Sequence, residues 1–116
     1  MNMTKTKRRI YIAGPMRGLP QYNYPAFNAA EEWLELQGLE VVNPVDTSNN
    51  HGTPDQIEAD PDLLFDVMES EKREIECCDA IYLLKGWEKS VGARCELKVA
   101  LDNGLEIVVQ GGGDAK

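Results

Sequence analysis

Ser90-Val91-Gly92-Ala93-Arg94-Cys95-Glu96, running on into Leu97-Lys98-Val99-Ala100-Leu101, follows the apolar run Ala80-Ile81-Tyr82-Leu83-Leu84 across a short loop, Lys85-Gly86-Trp87-Glu88-Lys89. The order is strand, glycine-bearing loop, small residues, helix. It aims the unpaired N–H groups of a helix start at whatever sits above the strand ends, a ready place for an anion. At about 100° per residue, Ala93, Leu97, Ala100 and Leu101 form the apolar stripe, and Glu96 falls at its edge, between Ala100 and Val99. Its helical neighbours three and four residues away are Gly92, Ala93, Val99 and Ala100. None is basic, so the surface ion pair that commonly accounts for a helical glutamate is missing. The bland reading is a solvated side chain. The placement makes Glu96 the first candidate for a catalytic carboxylate.

Working outward, Arg9-Ile10-Tyr11-Ile12-Ala13 reads as a first strand, short and mostly apolar as in a parallel sheet buried on both faces, and ended by Gly14-Pro15. Met16 to Tyr24 is turn-rich. Pro25 suits a first helical position, and Phe27, Ala30 and Leu34 recur at helical spacing with Trp33 beside them; Gly38 stops that helix. Leu39 to Val42 is a second strand, closed by Asn43-Pro44. The polar stretch Thr47 to Asp60 reads as a loop or lid. Asp60-Pro61 then caps and starts a helix to about Glu76, with an apolar stripe of Leu64, Met68, Ile75 and Cys78. Glu71 falls in the middle of that stripe. A carboxylate on a core-facing side is expensive unless satisfied, so Glu71 is either an end-of-sheet polar contact or a second active-site acid. Asp79 opens the third strand, Ala80 to Leu84, Asn103-Gly104 ends the Glu96 helix, and Glu106 to Val109 is a fourth strand.

Strands alternating with helices predict a single doubly wound, Rossmann- or flavodoxin-like α/β sandwich of three layers on a parallel sheet of about four to five strands. In the order 2-1-3-4, ligands bind at the carboxyl ends between the first and third strands. The residues delivered there are Gly14, Pro15, Met16, Arg17 and Gly18 after the first strand, and Gly86 to Glu96 after the third. Residues 1–8 read as a flexible basic N-terminus, 9–110 as the domain and 111–116 as a flexible glycine-rich tail.

The formal net charge of −8 argues against duplex nucleic acid, which needs basic surface, but leaves room for a small anionic ligand. No apolar run approaches a membrane span, and no export signal is visible. Cys77, Cys78 and Cys95 make an odd count without metal-ligand spacing, and His51 is the single histidine. Reduced thiols in a cytoplasmic protein, with no metal and no cofactor, is the expectation.

With the two loops placed together, the chain resembles the nucleoside 2-deoxyribosyltransferase superfamily, and within it the short phage and bacterial deoxyribosyltransferase-like branch. The carriers are Ile10 through Gly18, Pro25-Ala26-Phe27-Asn28, Asn43-Pro44, Cys78-Asp79-Ala80, and Gly86-Trp87-Glu88-Lys89-Ser90 through Glu96. The resemblance implies Glu96 as nucleophile and Tyr11 as the tyrosine supporting it. Glu71 falls where relatives carry an aspartate near the leaving base. Ser90 stands where the transferases have a sugar-contacting aspartate. The related deoxynucleoside-monophosphate hydrolases have a serine there for the 5′-phosphate, so Ser90, with the Gly92 and Ala93 amides, favours a nucleotide. Relatives assemble as oligomers, which implies a homo-oligomer here.

The expected chemistry is cleavage or transfer at the N-glycosidic bond of a (deoxy)nucleoside or its 5′-monophosphate. Glu96 attacks the anomeric carbon, and Glu71 binds or protonates the base, the two-carboxylate logic of retaining glycosidases. Water as acceptor makes a hydrolase, a second base a transferase. Arg17 is either a phosphate partner or a surface arginine, and Trp87 and Tyr22 are either stacking platforms or structural rings. Asp79 reads as a structural cap, and Asp46 and His51 carry no assigned role. The rivals are a non-catalytic nucleotide or nucleotide-sugar binding module on the same fold, a ribonucleotide or ADP-ribosyl N-glycosidase, and, remotely, a redox protein using Cys77 and Cys78.

Overall fold

The two apolar runs that flank the switch point become the centre of the sheet. In the computed structural model, which describes residues 7–111, β1 (Arg9–Ala13) and β3 (Ala80–Leu83) lie side by side, with β2 (Glu40–Val42) outside β1 and β4 (Glu106–Val109) outside β3. All three pairings are parallel, and Ile10 faces Ala80 across the central pair. The order is therefore β2-β1-β3-β4. The rest of the N-terminal segment and of the glycine-rich tail lies outside the described residues. Arg8, placed by the sequence in that segment, is engaged: its carbonyl accepts from the Glu40 N–H and its guanidinium pairs with Glu106.

Alternation along β1 and β3 sends side chains to two cores. Ile10, Ile12, Ala80, Tyr82 and Leu84 meet Phe27, Ala30 and Leu34 of α1 (Tyr24–Leu36) on one face. Tyr11, Ala13, Ile81 and Leu83 meet the other face, which is covered by α4 (Pro61–Glu76) and α5 (Val91–Asp102). The result is the three-layer sandwich the alternation predicts. No helix among the described residues is long and apolar enough to cross a membrane.

Three local expectations are corrected. The stretch read as a loop or lid is two helices, α2 (Pro44–His51) and α3 (Pro54–Ala59). Their sequences are too polar for a periodic stripe, but their start signals are present. The Asn43 side chain accepts from the Val45 N–H, and Thr53 with Gln56 forms a reciprocal capping box ahead of Pro54. On α4, the buried position is Val67, and Met68 is exposed. The inward line is thus Val67, Glu71, Ile75, a strict four-residue spacing that keeps Glu71 on the core side. On α5, Ala93 and Ala100 are buried while Leu101 is 59% exposed. The stripe is narrower than expected and centred on Ala93 and Ala100, and Glu96 lies half-buried at its edge, as expected, with its carboxyl accepting from the Tyr11 hydroxyl.

Candidate active site

Tyr11, Glu71 and Glu96 come from β1, α4 and α5 and meet on the α4/α5 side of the sheet. Tyr11 is fully buried, and its hydroxyl donates to Glu96 Oε2 at 3.0 Å. The Glu71 and Glu96 carboxyl groups are within hydrogen-bonding reach of one another. Two carboxyl groups so placed cannot both ionise cheaply, which favours a state with one proton between them. Burial, reinforced by the Glu71 charge, pushes the Glu96 carboxyl well above the ordinary carboxylate range, with the Tyr11 hydroxyl pulling the other way. Burial also raises Glu71. Tyr11 is raised well above its usual range by burial and by the facing Glu96 and Glu71, so it stays a neutral donor.

Two further groups stand around this pair. Glu74, one turn along α4 from Glu71, adds negative charge to it, and His51, at the end of α2, adds a compensating interaction. His51 is the neighbour of the pair to which sequence reasoning gave no role. The signal was the Asn43-Pro44 cap, which starts the helix that carries it.

The loops after β1 and β3 touch above the strand ends. A Cβ on Gly14 would lie 2.8 Å from Leu84 Cβ, so only glycine lets the strand pass there. Gly86 has a φ of +87° and faces the Pro15 ring. Asn23 holds the first loop by donating from Nδ2 to the Pro15 carbonyl at 3.0 Å. Gln21, Tyr22 and Asn23 all adopt positive φ, at 54°, 54° and 62°. Such residues persist only where surroundings over-determine them. Here the Tyr22 hydroxyl donates to Asp55 Oδ2 and its ring leans on Tyr24.

The other expected site residues divide. Met16 packs against the α1-side core. Gly18 turns with a φ of +81°. Arg17 reaches across to α3, pairing with Glu58 and with Asp55 at 3.4 Å, so it ties the first loop to that helix. Ser90 is the N-cap of α5: its Oγ accepts from the Ala93 N–H at 3.1 Å. That leaves the Val91 and Gly92 amides as the open donors of the first turn. The Trp87 ring packs against the α4/α5-side core beside the loop. Asp79 caps structurally, as expected, accepting from the Arg9 N–H at 2.9 Å. Cys78 is buried, donates to the Glu74 carbonyl and is pushed up to about 12 by burial, an inert thiol.

Among the described residues, no group of three or more His, Cys, Asp or Glu side chains is arranged to hold a metal ion. Two open grooves of about 500 Å³ lie elsewhere, one between β2 and α4 near Arg9 and Arg73, the other between α1 and β4. Neither is lined by Glu71 or Glu96.

Fold and pair together define a Rossmann-like α/β protein with a half-buried pair of glutamates beside the switch point of its sheet. The chain belongs to the DUF4406 family, a domain of unknown function, whose model matches residues 8–109. No curated protein matches it.

Proposed function

We propose that the protein cleaves or transfers at the N-glycosidic bond of a (deoxy)nucleoside or its 5′-monophosphate, with Glu96 as nucleophile. The observation that carries this reading is the Tyr11–Glu96–Glu71 arrangement. A fully buried tyrosine donates to one carboxyl, and a second carboxyl from another helix stands within hydrogen-bonding reach of it. An ordinary structural role does not explain the placement, since desolvating two facing acids, even with one proton between them, works against stability. The likeness of the loops and strand ends to the nucleoside 2-deoxyribosyltransferase superfamily supports the same reading.

The pair holds the proton count the reaction needs. With one proton between them, a shift onto Glu71 leaves Glu96 anionic, oriented by Tyr11. The Glu96 oxygen bonds to the anomeric carbon as the carbon–nitrogen bond breaks, and that electron pair leaves with the base. The base takes the proton from Glu71. Water, or a second base, then displaces Glu96 from the sugar and returns a proton to Glu71. The sugar must part the two carboxyl groups to enter, so binding and activation are one event. His51 on α2 stands where it can ease the charge left on Glu71. Activity therefore belongs to the singly protonated pair: it falls at low pH, where both acids are protonated, and at high pH, where the shared proton is lost.

The test is release of free base from a panel of deoxynucleosides, their 5′-monophosphates and the ribo counterparts, with and without an acceptor base. Base release that disappears in Glu96→Ala supports the reading. Product only with acceptor base makes the protein a transferase. Nucleotides that raise the melting temperature without any turnover would leave a binding module instead.

A further inference from the structure

The loop after β1 takes a shape that its sequence does not favour. Gln21, Tyr22 and Asn23 are three consecutive non-glycine residues at positive φ. Asparagine enters that region readily, whereas glutamine and tyrosine do so rarely. Inside the loop, the Leu19 N–H donates to the Met16 carbonyl at 3.3 Å and the Tyr22 N–H to the Leu19 carbonyl at 2.9 Å. Asn23 ties the end of the turn to the Pro15 carbonyl. A backbone of this kind needs further support from its surroundings. The side chain at its centre, Tyr22, is held from α3.

α3 is short but firmly seated. The Thr53–Gln56 capping box fixes its start, Pro54 and Ile57 are buried, and the helix packs on α4. With Ile57 inward, Asp55 and Glu58, three residues apart, share a face that meets the loop. Asp55 Oδ2 accepts from the Tyr22 hydroxyl at 3.1 Å, and Asp55 Oδ1 lies 3.4 Å from Arg17 Nε, which pairs with Glu58 as well. One carboxylate thus holds the loop at two points, Arg17 before the left-handed turn and Tyr22 within it. An isolated exposed ion pair contributes little. A shared acceptor that works against backbone strain does more, because losing it releases both contacts together. Four residues earlier, across Gly52, His51 interacts with Glu71. One short segment therefore reaches both the acid pair and the loop above it.

We propose that Asp55 is a positioning residue: from α3 it sets the shape of the loop that forms the β1 wall of the site, and through that wall it governs how well substrate is received. The loop carries Gly14 to Gly18 to the carboxyl ends of the sheet, where the Pro15 ring meets Gly86 of the loop that leads to α5. Tyr11, Glu71 and Glu96 stand on β1, α4 and α5, outside this loop. Loss of the Asp55 carboxylate therefore loosens the wall and leaves the reacting acids in place. The effect on substrate rests on the reaction proposed above; the hold on the loop does not.

Amide hydrogen exchange and steady-state kinetics of the full chain test the two halves separately. In Asp55→Ala, exchange at the Leu19 and Tyr22 amides is expected to quicken about tenfold or more, while the Leu64 and Cys78 amides at the two ends of α4 stay within about twofold. Asp55→Asn keeps an oxygen for the Tyr22 hydroxyl but no charge for Arg17, and is expected to fall between wild type and alanine. With a substrate that releases base, Asp55→Ala should raise KM about fivefold or more and leave kcat within about twofold, a split that general loss of stability does not produce. Unchanged exchange at Leu19 and Tyr22 would overturn the hold on the loop. Faster exchange with KM unmoved, or a fall in kcat alone, would overturn the role toward substrate. A wild type that releases no base from any nucleoside or nucleotide overturns the reaction, and with it the role toward substrate, whereas exchange still decides the hold on the loop.

Discussion

Replacing Glu96 by Gln should change how stability depends on pH, with a sign set by the half-buried acid pair. In the folded protein the Glu96 carboxyl sits well above its ordinary range, because it is buried and faces Glu71. Folding therefore holds a proton that the unfolded chain has released. Stability depends on pH as the difference in protons bound, unfolded minus folded, so it falls as pH rises through that window. The contribution is fully present below the unfolded pKa, near 4.3, and is lost as pH climbs through the folded one. One such proton gives a slope of up to about 1.4 kcal/mol per pH unit. For a domain of this size that is about 4–6 °C of melting temperature per unit. Glutamine keeps the shape and can donate to the Glu71 carboxylate, but does not titrate. The variant and wild type should thus melt close together near about pH 4 and diverge, the variant higher, toward about pH 8. Melting followed by circular dichroism across that range measures it. Parallel curves would mean that the Glu96 carboxyl is hydrated and independent of Glu71, and the dyad argument would fail.

Three smaller perturbations separate chemistry from architecture. Tyr11→Phe deletes the 3.0 Å bond to Glu96 while keeping the ring; base release should drop about 10- to 100-fold in kcat/KM with the fold retained, and unchanged turnover would remove Tyr11 from the mechanism. Gly14→Ala forces a Cβ to 2.8 Å from Leu84 and should cost about 1–3 kcal/mol in urea unfolding. Asn43→Ala strands the Val45 N–H, which Asn43 caps, and the Asn28 and Glu31 oxygens it donates to; a loss of about 2–3 kcal/mol is expected, read by the same titration.

Much of the architecture was legible because it rests on strong local patterns. The double-sided apolar runs at Ile10–Ala13 and Ala80–Leu84 can only be central strands, and Phe27, Ala30 and Leu34 fix the face of α1. The site was legible as a conflict: Glu71 breaks an apolar stripe, and Glu96 lacks a basic neighbour. What remained hidden was set by tertiary contacts. The α5 stripe is narrower than its sequence implies and leaves Leu101 in solvent, which a short helix with two buried alanines does not reveal. α2 and α3 are stabilised by caps and by packing on α4 rather than by a stripe, so their polar sequences read as loop, and His51 went with them. Arg17 stayed open between a phosphate partner and a surface arginine because Asp55 and Glu58 are about forty residues away in sequence and adjacent only in the fold.

The central claim is that Glu96 bonds to the sugar. Intact-mass and peptide mass spectrometry of the protein, quenched during turnover of a nucleoside or nucleotide that releases base, examines this directly. A mass increase of one glycosyl group on the peptide that contains Glu96, absent in Glu96→Gln, is the predicted result. Steady base release with no adduct on that peptide, and with Glu96→Gln as active as the wild type, would contradict it.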